Sequence, residues 1–209
     1  ELPPIVSTEE ALKKGAPLVW DDCPDNICFV QLDGDKAKTQ AAFAQAAHVV
    51  KHRFVINRVT AASMEPRGCV GSYSPFDGRY TIHTTLQRTF PFREDLCRFV
   101  LKVPENKVRV IAGDIGGSFG MKSGVHVEEV LSAWAARRLN RPVKWISDRT
   151  EGFLTDEQAR EMDISAELGI DAEGKFTALK LRWDCNIGAY CWGRSGWGVG
   201  NIGGIAGVY

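Results

Sequence analysis

The chemistry most open to reading from residue type and spacing lies in Gly116-Gly117-Ser118-Phe119-Gly120, with Gly113 just ahead of it. Without a Cβ, glycine lets backbone N–H groups crowd against a ligand or take φ > 0. The apolar run Val108, Val110, Ile111 precedes these residues and fits a buried strand, and a helical pattern follows from Val125. Strand, glycine loop and helix is a layout that offers amides and a helix N-terminus to an anionic group. Phe119, a bulky ring among glycines, suggests the wall of a pocket beside those amides. The competing reading is a tight surface turn.

Two phosphate-binding patterns fail on these residues. A Walker loop needs glycine directly before its lysine, and Met121 precedes Lys122. The dinucleotide fingerprint needs glycines at its first, third and sixth places, which no frame through Gly113, Gly116, Gly117 and Gly120 supplies. A second polar group of interest is Gln87, at the exit of a predicted strand, where a carboxamide can face whatever covers the sheet end. A surface glutamine or a helix cap is the plainer account of it.

Other reactive residues point to no site. The six cysteines never form Cys-x-x-Cys, so zinc and iron–sulfur spacings are absent. A chain of 209 residues does not need a disulfide scaffold, and buried, reduced thiols are expected. His126, at the start of a predicted helix, reads as a cap or packing residue. The 26 basic and 26 acidic residues cancel, which gives no push toward nucleic acid or an anionic membrane. No apolar run approaches the ~18 residues of a membrane-spanning helix, and Glu1-Leu2-Pro3-Pro4 does not resemble a signal peptide. The chain lacks an initiator methionine, so it is expected to be a piece of something longer.

The elements that must position these groups follow from periodicity and breakers. Residues 1–35, with Pro-Pro, Asp-Asp-Cys-Pro-Asp-Asn and Asp-Gly-Asp, read as an extended connector carrying short edge pieces at Pro17 to Trp20 and Ile27 to Gln31. A helix is predicted over Lys36 to Ala47 and a strand over Val49 to Val59, broken at Met64-Glu65-Pro66. Cys69 to Tyr73 and Tyr80 to Thr85 flank the turn Pro75-Phe76-Asp77-Gly78 as a hairpin. A helical stretch around Phe92, Leu96, Phe99 and Val100 leads to the strand at Val108. Val125 to Leu139 is amphipathic, acidic at its start and basic at its end, and Pro142 stops it. A short strand at Val143 to Ile146, a charged turn or short helix from Asp148, and a hairpin of Met162 to Ile170 with Phe176 to Asn186 follow. The glycine-rich residues from Gly188 onward are expected to be irregular. The order predicts an α+β fold, largely antiparallel sheets with helices packed on one side.

Four stretches give this sequence a family resemblance: Met64-Glu65-Pro66-Arg67-Gly68; His83-Thr84-Thr85-Leu86-Gln87; Asp114 through Lys122; and Arg141-Pro142-Val143-Lys144-Trp145 with Asp148-Arg149. In order and spacing they resemble the large subunits of molybdenum hydroxylases, the xanthine dehydrogenase and aldehyde oxidase family, and most of all its carbon monoxide dehydrogenase-like branch. The likeness runs from about Leu32 to the end. It implies that residues 36–209 are one lobe of a molybdopterin-binding domain. It also implies a molybdopterin cofactor, in bacteria the cytosine dinucleotide, and partner subunits or domains carrying FAD and 2Fe-2S centres. The reaction would be oxidation of an aldehyde, an N-heterocycle or a CO-like small molecule with water as oxygen source.

By the same resemblance Gln87 would hydrogen-bond a molybdenum oxo ligand, and the amides of Gly116, Gly117, Ser118, Phe119 and Gly120 would contact the cofactor. Ser118 stands where glycine is usual, so a left-handed backbone there would be strained. No residue of this chain matches a metal ligand or the catalytic glutamate, which is expected farther along the subunit, as is an active-site arginine loop just past Tyr209. Glu65 and Glu151 are local alternatives to that base, more simply read as structural. The chain alone is therefore expected to be inactive, to need the remaining lobes of its subunit, and to reside in the cytoplasm. The alternatives are a non-catalytic structural or interaction module that keeps the fold without metal, and a nucleotide-binding module on the same loop.

Overall fold

The computed structural model describes residues 3–190. Chain contacts divide it into a first unit, Glu1–Val59 with Ala159–Tyr209, and a second, Thr60–Gln158.

In the first unit, α1 (Thr8–Ala11) is a single turn whose Glu10 N–H donates to the Ser7 hydroxyl at 3.2 Å. Helix α2 (Lys36–Gln45) starts where the Asp35 carboxylate accepts the Lys38 N–H at 2.9 Å. Strands β1 (His48–Thr60), β6 (Gln158–Ile170) and β7 (Phe176–Cys185) form a sheet in the order β1-β6-β7. The β6–β7 hairpin closes on Asp171, whose carboxylate accepts the N–H groups of Glu173 and Lys175, as the Asp-Ala-Glu-Gly-Lys turn predicts. Glu167 on β6 bridges Lys51 of β1 and Lys180 of β7, so opposite charges align across three strands.

The short edge pieces expected at 17–20 and 27–31 are not strands: outside α1, the described residues before α2 hold no helix or strand. Each run is too short and too enclosed by Pro17, Pro24 and the Asp pairs to reach a neighbouring strand. The expectation about the glycine-rich tail lies, from residue 191 on, outside the described residues.

The second unit holds a four-stranded sheet in the order β4-β3-β2-β5, built from β2 (Gly68–Ser74), β3 (Arg79–Thr84), β4 (Val108–Ile111) and β5 (Val143–Ile146). β2 pairs antiparallel with both β3 and β5, while β3 and β4 run parallel. A parallel pair needs a crossover, supplied here by α3 (Thr89–Asp95), a π-helical turn (Leu96–Leu101) and a 3₁₀ turn (Glu105–Lys107). Helix α4 (Val127–Leu139) and the short α5 (Arg149–Thr155) complete the unit.

The core lies on one face of this sheet. Tyr80 and Ile82 of β3 and Val108 of β4 bury against Phe92, Leu96 and Cys97 of the crossover and Ala133 of α4, with Leu86 beneath. Alternation along β3 puts Tyr80, Ile82 and Thr84 inward and leaves Arg79 and His83 exposed. The fold is thus the mixed, mostly antiparallel α+β architecture read from the sequence. Among the described residues no helix is long and apolar enough to cross a membrane.

Candidate functional site

Strand β3 ends at Thr84, and its exit is fixed by two bonds. Thr85 N–H donates to Gly68 O at 3.1 Å, and Gly68 N–H donates to the Thr85 hydroxyl at 3.1 Å. Leu86 is buried in the core, so the next residue, Gln87, stands outward and exposed. Its backbone N–H donates to Lys122 O at 2.9 Å, and its side-chain Oε1 accepts the Gly120 N–H at 3.0 Å. Because the partner is a donor, the carboxamide orientation is fixed: the oxygen faces Gly120 and the NH₂ is left to donate elsewhere.

The loop that leaves β4 is pinned from the other side by the turn around Glu65. Glu65 N–H donates to Gly116 O at 3.1 Å, and Gly116 N–H donates back to Glu65 Oε2 at 2.9 Å. The approach is so close that a Cβ on Gly116 would sit 2.5 Å from Glu65 Cβ. Lys122, almost wholly buried, donates from Nζ to Glu65 O at 2.8 Å and to Glu65 Oε2 at 3.1 Å. Burial opposes charge on Glu65, but the Gly116 N–H and the Lys122 ammonium outweigh it and hold its carboxyl below the usual range. Arg149 of α5 fixes the same turn, donating from Nη2 to Ser63 O at 2.8 Å and Met64 O at 3.0 Å.

Between these anchors the backbone takes φ of +100° at Gly117, +53° at Phe119 and +99° at Gly120. The strain expected at Ser118 falls instead on Phe119, a bulky residue in the left-handed region. Ser118 is buried, its hydroxyl accepting the Lys122 N–H at 3.1 Å and its carbonyl the Met121 N–H at 3.1 Å. That internal role explains a hydroxyl-bearing residue where the resemblance has glycine. The Phe119 ring folds back over Gly117, where a Cβ would come 2.9 Å from Phe119 Cε2 and 3.2 Å from Ser63 Cβ. The ring is 80% exposed, so within this unit it lines an open rim and does not close a pocket.

Among the described residues, the N–H groups of Gly117, Ser118 and Phe119 find no acceptor. Three consecutive backbone donors and the exposed Gln87 carboxamide are therefore joined through Gly120, with Gly117 half-buried, Ser118 buried and Phe119 exposed. A set made only of donors suits an electron-rich group such as an oxo or phosphate oxygen.

His126, immediately before α4, ties the loop to the helix. Its Nε2 lies 3.1 Å from Met121 O, so the ring carries its proton there, and its N–H donates to Glu129 Oε2 at 2.9 Å. Glu129 also accepts from the Thr84 hydroxyl at 3.1 Å, and burial pushes its carboxyl up to about 7. Beneath these, Arg67 is buried with Glu128 at 2.7 Å, Asp156 at 2.6 Å and the Trp145 ring at 5.1 Å, locking β2 to α4 and α5.

Glu65 is occupied in holding the loop. Glu151 sits in the first turn of α5, where its N–H donates to Asp148 Oδ1 at 2.7 Å and its carbonyl accepts from the Thr155 hydroxyl at 2.8 Å. Sequence reasoning missed the roles of Lys122 and Arg149, because no local spacing links them to residues 63–65. Among the described residues no group of three His, Cys, Asp or Glu side chains is placed to hold a metal ion directly. Cys69 and Cys97 are buried, as expected, but Cys23 and Cys185 are only half-buried and Cys28 is exposed; burial pushes the Cys69 thiol up to about 11.

Residues 19–209 match the model of the molybdopterin cofactor-binding domain. The carbon monoxide dehydrogenase large chain of Hydrogenophaga pseudoflava is 34% identical over 202 residues, covering 91% of this chain and 25% of that protein. The 6-hydroxypseudooxynicotine dehydrogenase complex subunit gamma of Paenarthrobacter nicotinovorans is 38% identical over 189 residues, covering 90% of this chain and 23% of that one. Among solved structures, reconstituted CO dehydrogenase from Oligotropha carboxidovorans superposes with a TM-score of 0.79 at 32% identity, over 88% of this chain and 24% of that one. The chain thus spans about a quarter of the length of the relatives it matches.

Proposed function

We propose, from the premise that this chain belongs to the molybdopterin cofactor-binding domain family, that its rim of amides holds a molybdopterin cofactor. The chain would do so within a longer oxidoreductase subunit. The observation that carries this reading is the single bond from Gly120 N–H to Gln87 Oε1, which joins the glycine loop and the strand exit into one donor surface.

The residues present fit the group. Among the described residues the N–H groups of Gly117, Ser118 and Phe119 have no acceptor, and glycine at 117 leaves the space into which the Phe119 ring folds. When bound, such a cofactor supplies a molybdenum centre that takes electrons from substrate while water provides the oxygen. The chain's own residues bind and orient. The N–H groups of Gly117, Ser118 and Phe119 would hold the cofactor, with Gly116 and Gly120 fixing the loop ends. Gln87 would offer its Nε2 donor to the cofactor beside the loop, and Phe119 would line the edge of the site. No side chain here is assigned as the base: Glu65 is bonded to the Gly116 N–H and the Lys122 ammonium, and Glu151 belongs to the turn of α5.

The finer reading is a hydroxylase of an aldehyde, an N-heterocycle or a CO-like molecule. Its cofactor would be the cytosine dinucleotide form, and electrons would pass to iron–sulfur and FAD partners in the cytoplasm. The names of two relatives, a CO dehydrogenase large chain and a dehydrogenase complex subunit, support a CO-like substrate and a multi-subunit assembly; the cofactor form, the iron–sulfur and FAD partners and the cytoplasm rest on the family resemblance alone. Elemental and pterin analysis of the intact protein, with dye-linked assays on the three substrate classes, tests the reading. Molybdenum at one per subunit with turnover of one class is expected. A folded, complete protein free of molybdenum would favour a structural or interaction module.

A further inference from the structure

We infer that Glu65 and Lys122 form a positioning pair that holds the glycine loop in its donor-presenting shape. This rests on the cofactor reading above. Lys122 is 1% exposed, and among the described residues its ammonium donates twice to Glu65, once to the backbone carbonyl and once to the carboxylate. An ammonium is buried at heavy cost unless paired, so its place under the loop demands a compensating role. That role is visible in the carboxylate: Glu65 Oε2 accepts the Gly116 N–H and the Lys122 ammonium together.

The pair spans the loop. Gly116 lies at its start and Lys122 at its end, and Lys122 O also receives the Gln87 N–H. Between them sit the left-handed Phe119 and three N–H groups without acceptors. A free loop would relax that strain and turn those donors to water. The ion pair opposes the relaxation, with Arg149 fixing the Ser63 and Met64 carbonyls behind it. Neither Glu65 nor Lys122 is a catalytic residue; each acts through the backbone it fixes.

The test uses the intact protein with Glu65→Gln/Lys122→Met, which removes both charges together and leaves no buried ion unpaired. The melting transition is expected to persist. Amide exchange at Gly116, Gly120, Met121 and Lys122, whose N–H groups are hydrogen-bonded in the ordered loop, is expected to accelerate in cofactor-free protein. Release of the pterin is expected to quicken roughly 10- to 100-fold, the range typical of lost outer-sphere support, with a changed molybdenum electron paramagnetic resonance signal. Unchanged exchange in the cofactor-free variant overturns the positioning role whether or not the protein carries a pterin. Wild-type release and an unchanged signal in a loaded variant overturn it too. Wild-type protein that never binds a pterin overturns the functional reading instead, while the exchange comparison still decides whether the pair orders the loop. Should the double variant fail to fold, Lys122→Gln keeps a neutral donor to the Glu65 carbonyl, and the same three readouts apply.

Discussion

Gln87 and Gly120 meet side chain to backbone at 3.0 Å, and the direction of that bond decides what the glutamine can offer a ligand. Since Gly120 donates, the carboxamide oxygen is spent and only the NH₂ faces outward. Gln87→Glu keeps an acceptor for Gly120 but replaces the outward donor with a carboxylate oxygen. In the intact protein, turnover is expected to fall roughly 10- to 100-fold with pterin content retained. Kinetics paired with pterin analysis check this, and full activity would remove Gln87 from the site.

Gly117→Ala strikes the same rim by geometry. At φ +100° an L side chain is disfavoured, and its Cβ would meet both the Phe119 ring and Ser63. A cost of at least about 1–2 kcal/mol is expected, on the scale of placing an L residue in left-handed backbone, together with weakened pterin retention. Denaturant melts and pterin content measure the two effects separately.

Arg67 sets the stability of the second unit. Its guanidinium neutralises Glu128 and Asp156, whose side chains are only 21% and 7% exposed. Arg67→Met leaves the Asp156 carboxylate buried and the Glu128 carboxylate part-buried without their cation, which costs about 3–5 kcal/mol by the usual penalty for breaking a buried pair. A midpoint unchanged in urea would mean that Trp145 packing, not charge, holds this region.

Glu129 makes stability depend on pH in an unusual direction. Burial raises its folded carboxyl from an ordinary 4.5 to about 7. Between those values the native state binds more protons than the unfolded chain, so this group's contribution is whole below about pH 4.5 and declines as pH rises to 7. The slope is at most about 1.4 kcal/mol per pH unit for one carboxyl. Glu129→Gln should therefore flatten the stability profile between pH 5 and pH 7. Parallel profiles for the two proteins would disprove the assignment.

Most elements of this fold are legible because their signals are local. Pro75 to Gly78 marks the β2–β3 turn, Asp171 to Lys175 marks the β6–β7 turn, and the Val127 to Leu139 spacing marks α4. The glycine loop stands out on the same local grounds, whereas the role expected of Gln87 comes only from the family resemblance, a surface glutamine or helix cap being the plainer local reading. The Glu65–Lys122 pair was hidden because its partners are far apart in sequence and meet only through tertiary packing. The strain on Phe119 was misplaced onto Ser118 because residue type shows which positions dislike left-handed backbone, not which position the closed loop forces into it. The edge pieces at 17–20 and 27–31 failed since apolar content without a neighbouring strand makes no ladder.

The parallel register of β3 and β4 has a kinetic corollary. Gln87 and the glycine loop both emerge from the same end of these adjacent strands, and they become neighbours only once the helical crossover between them has closed. Closing such a connection bears its entropy before any distant contact repays it. A nascent or partly folded chain therefore holds Gln87 and the glycine loop apart until the sheet of this unit has set.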